Sequence, residues 1–405
     1  MTRHAIVVGA GLAGSSAAER LAARGWSITL LDAAAAPGQG ASGNRAGVLR
    51  PLPSLDDNRL ARLTRAAFTH ARAHFHALLA DELPLRWRQT GVLHLARDEK
   101  QAATQRRVVE ERRPPAEDLR FVERAEASRL AGWPVANGGW WFPNGGWVDP
   151  ASLCRANLAR HATAIAAHFH CRVARIERPA ECWRVFDEND RCLAAAPVLV
   201  LANASDARRF AATAHLPLRP ARGQVSHLPA TDGTAPEIVV CRGGYVTPAI
   251  DGIRCAGATF GIDDTDTVLR TADHAENLVR LDAILPGYGA AWRAETLDGR
   301  VGCRPMSPDR LPMIGAVADP TAPIPRQPVC PLAQLPRQPG LYVIDGFGAR
   351  GIVWSALAGE LLACLIDGDA PPLPADLIDA VDPGRFLLRG RAGTARRQPS
   401  PPGDD

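Results

Sequence analysis

The first thirty-two residues restrict the fold more than any other part of the chain. His4–Val8 is a short apolar run of the kind that forms a buried parallel strand. It leads directly into GAGLAG, with Gly9, Gly11 and Gly14. An alanine-rich helical stretch follows from Leu12 to Arg24 and stops at Gly25; Ser27–Leu31 then reads as a second strand ending in Asp32. A lone GxGxxG pattern is weak. Here it lies between a strand and a helix, with an acid eighteen positions beyond Gly14. Each position has a physical task in binding a dinucleotide. Gly9 permits the tight turn, Gly11 lets the backbone approach a pyrophosphate, and Gly14 lets the helix pack on the strand. The helix N-terminus offers unpaired N–H groups to the phosphates. Asp32 would accept hydrogen bonds from a ribose 2′-hydroxyl, and an acid there disfavours a 2′-phosphate.

FAD and NAD both suit this unit, and the rest of the chain separates them. An NAD enzyme would continue promptly into a regular second half. Instead there is an irregular loop at 33–54 containing GASGNRAGVL, Gly40 to Leu49, and then a helical stretch around 56–80. Gly91–Ala96 reads as a strand, with charged helices to about Leu130. Gly132–Pro150 is rich in turns and in tryptophan. A helix is expected near Ala151, a strand at Cys171–Glu177, and a buried strand at Pro197–Asn203. Gln224–Phe260 alternates like antiparallel strands. Leu341–Asp345 begins a second strand, Gly-rich turn and helix.

Composition excludes several classes. Of 47 basic residues only Lys100 is a lysine, and the net charge of +4 permits an acidic partner without requiring one. Nine scattered cysteines without a CxxC pair fit a reduced, cytoplasmic protein rather than a disulfide framework or zinc site. The histidines show no ligand spacing, although three crowd around Ala71–His76, so no metal is expected. No segment reads as a membrane span, and the N-terminal apolar run ends in a Gly-rich turn rather than a signal-peptide cleavage site.

The chain resembles the D-amino-acid-oxidase-like FAD-dependent oxidoreductases over nearly its whole length. The likeness is carried by GAGLAG with Asp32, the strand before Ala202-Asn203-Ala204, GCRP at Gly302–Pro305, and GFGARGI at Gly346–Ile352. Within that superfamily it is most similar to the oxidoreductase half of the bifunctional MnmC subfamily, which modifies the tRNA wobble uridine. The stretches concerned are GASGNRAGVL, GGWVDP at Gly145–Pro150, GQVSHLP at Gly223–Pro229, GGYVTP at Gly243–Pro248 and SPDRLPMIG at Ser307–Gly315. Members of that subfamily usually carry an N-terminal methyltransferase domain, which this chain does not show. The methyltransferase would be fused in a longer product or be a separate partner.

The resemblance implies an α/β (α+β overall) fold with glutathione-reductase-type FAD binding. A Rossmann-like FAD-binding domain, 1–82, 150–213 and 300–387, would interleave with an antiparallel-sheet substrate domain, 83–149 and 214–299. A tail at 388–405 would be disordered. It also implies non-covalent FAD, held by Gly9, Gly11, Gly14, Asp32, Ser42, Gly43, Asn44, Arg45, Val173, Ala202, Asn203, Gly346, Phe347, Gly348, Arg350 and Gly351. The loop at Gly40–Leu49 would close over the flavin end, a reading the chemistry supports, since a diphosphate wants N–H groups and a cation. The reaction implied is oxidation of a carbon–nitrogen bond: hydride leaves the α-carbon of a neutral amine, and the imine hydrolyses. Arg304 would clamp the substrate carboxylate bidentately, with a structural ion pair as the alternative. Tyr245 would add a hydroxyl donor, or else is a packed strand aromatic. Trp133, Trp140, Trp141 and Trp147 would stack a splayed base or simply pack a small domain. The substrate implied is tRNA bearing 5-carboxymethylaminomethyl(-2-thio)uridine, which loses its carboxymethyl group as glyoxylate. Two other readings stay open: oxidation of a free small amine, and a non-catalytic flavin-binding partner of a methyltransferase. Retention of Arg304 and the whole GFGARGI turn speaks against the last.

Overall fold

The computed structural model describes residues 3–230, 234–323 and 331–388. After Leu388, the tail expected to be disordered lies outside the described residues.

A six-stranded sheet forms the first half of the molecule, in the order Met313–Ala318, Arg337–Asp345, Val198–Leu201, His4–Val8, Ser27–Leu31 and Ile165–His168. All its neighbours are parallel except Met313–Ala318 against Arg337–Asp345. Its central strands are continuous apolar runs because both faces are covered. Ala5 and Val7 face a core shared with helices Leu12–Ala22, Arg59–Ala80 and Gly351–Asp367. Ile6 and Val8 face a second core beneath a three-stranded sheet, Arg175–Glu177, Trp183–Phe186 and Cys192–Ala196. Helix Gly351–Asp367 is apolar almost throughout, and twelve of its residues are buried. The segment Gly348–Asp367 that contains it is long and apolar enough to cross a membrane, but most of it is buried, as in a core helix. It packs closely on the first helix: Ser16 Oγ donates to the Ser355 carbonyl at 2.6 Å, and a Cβ on Gly359 would stand 2.5 Å from Ser16 Oγ.

The strand expected over 171–177 is shorter and lies elsewhere. Only Arg175–Glu177 is extended, and it belongs to the three-stranded sheet. The edge strand of the main sheet is Ile165–His168, where only Ile165 is buried, so it carries no apolar run by which to recognise it.

A nine-stranded sheet forms the other half, built from strands between Val92 and Met306. Its longest pairing joins Arg219–Pro229 to Asp298–Met306 through nine antiparallel residue pairs, among them Ala221 with Arg304. The domain boundary expected at residue 300 falls inside this strand. The tryptophans take the packing role. Trp140 and Trp147 are buried, and Trp133 stands edge-on to Tyr288 at 4.9 Å.

Candidate active site

A cavity of about 990 Å³ runs between the two sheets. Its volume is at the upper end for ligand sites. At one end are the C-terminal ends of the parallel strands, where such folds bind ligands. At the other is the nine-stranded sheet, antiparallel as expected except where Val239–Cys241 runs parallel to Val92–Leu95.

The nucleotide end is built as the glycines require. Gly9 has φ +106°, and a Cβ there would be 2.5 Å from the Ala202 carbonyl oxygen. A Cβ on Gly14 would be 1.8 Å from the Gly9 carbonyl oxygen, so the helix sits on the turn only because this residue has no side chain. Gly11 lines the cavity, at the N-terminus of helix Leu12–Ala22. Asp32 lines it as well; its carboxylate accepts from the backbone N–H groups of Ala10 at 2.5 Å and Ala34 at 2.7 Å. These bonds fix the acid at the end of its strand.

The loop over 40–49 divides into two sets of residues. Ser42 and Asn44 line the cavity, and Ser42 Oγ accepts from the Leu12 N–H at 3.1 Å. Gly43 and Arg45 do not line it. Gly43 lies under Arg300, whose Nη2 donates to the Gln39 and Gly40 carbonyls at 2.6 Å each and ties the loop to the second sheet. Arg45 is exposed. The chain turns after Asn44 to bury Ala46 and to seat Gly47 against Ile352, which sends the Arg45 side chain outward. Arg50, five residues on and past a short strand, is the loop's cation in the cavity. The sequence offered a signal for it: an arginine directly after the apolar GVL.

Of the remaining expected contacts, Val173, Ala202, Asn203, Phe347, Gly348, Arg350 and Gly351 line the cavity, whereas Gly346 lies behind it against Met313 and Leu218. Two polar atoms at this end have no partner among the described residues: Asn203 Oδ1 and Asp345 Oδ2. Burial raises the Asp345 carboxyl to about 7, against the opposing pull of the Gly346 and Ala204 N–H groups.

At the other end Arg304 and Tyr245 line the same wall. Arg304 passes over Gly223, where a Cβ would stand 1.9 Å from Nη2. No carboxylate among the described residues pairs with it, so the alternative of a structural ion pair is absent there. Burial lowers its pKa, with Tyr245 the largest opposing influence; burial in turn raises that of Tyr245. The guanidinium lies 5.9 Å from the Phe260 ring centroid. His94, Cys241, Phe260 and Arg280 also line this end and were not singled out from the sequence. Burial, and after it Arg50, pushes His94 well below the usual histidine range, so it is a neutral imidazole at neutral pH.

This arrangement fits FAD: a glycine turn too tight for any side chain, a helix N-terminus for the diphosphate, an acid for the ribose, and a cavity that continues to an unpaired cation.

The comparisons agree with that geometry. The family described as FAD dependent oxidoreductase matches residues 4–365. The chain is 58% identical over 394 residues to a protein of Aromatoleum aromaticum named tRNA 5-methylaminomethyl-2-thiouridine biosynthesis bifunctional protein MnmC, covering 97% of this chain and 61% of that one. A protein of the same name from an Azoarcus species is 56% identical, with 96% and 60% covered. The chain thus spans about three-fifths of the length of these curated relatives. Among solved structures, glycine oxidase from Geobacillus kaustophilus superposes with a TM-score of 0.74 at 22% identity, over 93% of this chain and 98% of that one. L-proline dehydrogenase from P. horikoshii gives 0.71 at 19% identity, over 96% and 98%.

Proposed function

The chain belongs to the DAO family of FAD-dependent oxidoreductases, and from that premise we propose that it oxidises the carbon–nitrogen bond of the carboxymethylaminomethyl group on the tRNA wobble uridine. The products are glyoxylate and 5-aminomethyl(-2-thio)uridine. The observation that carries this reading is the unpaired Arg304 facing the same cavity as the nucleotide turn. A cation held there without an internal partner needs an anionic ligand. The N-carboxymethyl group supplies a carboxylate one carbon from the bond to be oxidised. The names of the relatives supply the tRNA context.

FAD, when bound, supplies the two-electron oxidant. Gly9, Gly11 and the first turn of helix Leu12–Ala22 would hold its diphosphate, Asp32 its ribose, and the Phe347–Gly351 turn its ring. No cysteine or histidine stands in an attachment motif, so the cofactor is non-covalent. Arg304 fixes the carboxylate bidentately, and Tyr245 donates its hydroxyl to the same group. Burial holds Tyr245 protonated, as a donor must be. The chain's own contribution is therefore position: the α-carbon is brought to the oxidant, and water then hydrolyses the imine to glyoxylate and the amine. No nucleophile is required, and the site offers none in a catalytic pairing. The enzyme works in the cytoplasm with a methyltransferase, fused or separate, that takes the free aminomethyl product.

The test is mass spectrometry of wobble nucleosides after incubating the protein with tRNA that carries the carboxymethylaminomethyl group. Conversion to the aminomethyl nucleoside with release of glyoxylate is expected. Oxidation of glycine or sarcosine with none of the tRNA would move the assignment to a free-amine oxidase.

A further inference from the structure

Phe260 is a large apolar side chain that lines the substrate end of the cavity and yet is 47% exposed. It follows the strand Ile253–Gly257, and no hydrophobic core cluster takes its ring. The guanidinium of Arg304 is 5.9 Å from its centroid. The neighbouring lining is largely backbone: Gly243, Gly244, Gly257 and Ala258 all line the cavity there, with Arg280 donating to the Gly243 carbonyl at 3.3 Å and the Ala258 carbonyl at 2.8 Å, and a Cβ on Gly243 would meet open space. The half-covered aromatic ring thus stands beside the cation in a part of the cavity lined largely by backbone.

We propose that Phe260 is the stacking platform for the wobble base and so selects a nucleobase-bearing amine over a free amino acid. This rests on the assignment of Arg304 to the substrate carboxylate. The reach agrees with it. From the carboxyl carbon, four bonds lead through the α-carbon, nitrogen and methylene to the uracil ring, about 5 Å when extended. Rings in contact have centroids about 4.5–7 Å apart. With its carboxylate on Arg304, whose guanidinium stands over the Phe260 ring at 5.9 Å from the centroid, the attached uracil is within reach of that ring. Stacking on an aromatic face suits a splayed single-stranded base and is indifferent to 2-thiolation, which leaves the ring flat. Glycine or sarcosine would fill the carboxylate site and leave the ring uncovered. The tryptophans of 132–150 cannot serve in its place, because none of them lines the cavity.

The experiment compares FAD-loaded wild type with Phe260→Ala, Phe260→Leu and Phe260→Trp. Each is mixed anaerobically with increasing tRNA bearing the carboxymethylaminomethyl group, and flavin absorbance is followed. FAD retention checks the fold of each variant, and equilibrium dialysis with 5-aminomethyluridine reads binding without turnover. The apparent Kd for tRNA should rise about ten- to a hundredfold in the Ala and Leu variants, as loss of one stacked base predicts. Trp should restore it, and dialysis should follow the same order. An Ala or Leu variant that matches wild type, or a Trp variant that fails to restore binding, overturns the proposal. If wild type itself is not reduced by this tRNA, the proposed function fails first and the stacking role with it. Normal wild-type reduction with unmoved variants removes Phe260 alone.

Discussion

Arg304 and Asp345 are the two side chains whose surroundings demand most of them. Arg304 is held over Gly223 with no carboxylate partner among the described residues, which supports the proposal that it clamps an external carboxylate. Arg304→Lys keeps the charge and loses the fork, and the α-carbon is no longer fixed. FAD should stay bound while flavin reduction slows roughly 10²-fold, the cost of about 1 Å of misplacement. Arg304→Ala should be slower still, because the carboxylate would be buried without a partner. Stopped-flow absorbance with the modified tRNA checks both. Asp345 makes a prediction about pH. Its carboxyl titrates near 7 when folded and near 3.8 when unfolded, because burial disfavours the charge. Between these values the folded state binds more protons than the unfolded one, so this group's contribution to stability falls as pH rises through the interval. Asp345→Asn removes that dependence. Urea melts at matched FAD concentration should show the variant gaining on wild type by more than 1 kcal/mol between pH 5 and pH 8, a change of about one pKa unit or more. A gap that does not change with pH would place the carboxyl in a more solvated setting.

Among the elements, the turn and first helix depend on one missing side chain. A Cβ at Gly14 would stand 1.8 Å from the Gly9 carbonyl oxygen, and backbone cannot yield there as a flexible side chain could. Gly14→Ala should move helix Leu12–Ala22 away from its strand. A loss of about 1–3 kcal/mol in urea unfolding and failure to retain FAD are expected. Gly11→Val should behave differently. A Cβ there meets only the Ser42 side chain, Oγ at 3.1 Å and Cβ at 3.9 Å, and the rest of the side chain would occupy the cavity. Flavin binding should be lost while the stability of the cofactor-free protein changes little. The comparison separates a glycine needed for packing from one needed for the ligand. The loop over 40–49 is an element of another kind. It is tied to the second sheet by Arg300, which donates to the Gln39 and Gly40 carbonyls.

At the scale of the molecule, two sheets with separate cores meet along one cavity, and the cofactor would occupy the seam between them. Such a ligand stabilises the whole. At free FAD a hundredfold above Kd, unfolding should cost about 2.7 kcal/mol more than in the stripped protein. The purified protein should be yellow, and heat or acid should release intact FAD into the supernatant. A chromophore that stays with the precipitated chain would show a covalent bond that no residue here was expected to make.

The sequence by itself determined the nucleotide half of this protein. Strand, glycine turn, helix, strand and acid are contiguous within thirty-two residues, and each glycine answers a local steric demand that pattern alone can display. Resemblance then pointed to Arg304, which the structure places in the cavity. What only the tertiary structure decided lies at the substrate end. His94, Arg50, Phe260 and Arg304 are far apart along the chain, and the fold brings them to one cavity, His94 through the parallel pairing of its strand with Val239–Cys241 and Arg304 through the antiparallel pairing of Asp298–Met306 with Arg219–Pro229. The sequence pointed to Arg45 as the loop's cation. The direction of the chain after Asn44, set by the burial of Ala46 and the contact of Gly47 with Ile352, chose Arg50. The tryptophans stood out in the sequence because they are many, and they pack a core. The single Phe260 has no periodic signal, because its exposure depends on which neighbours fail to cover it, and that is settled only when both sheets are in place.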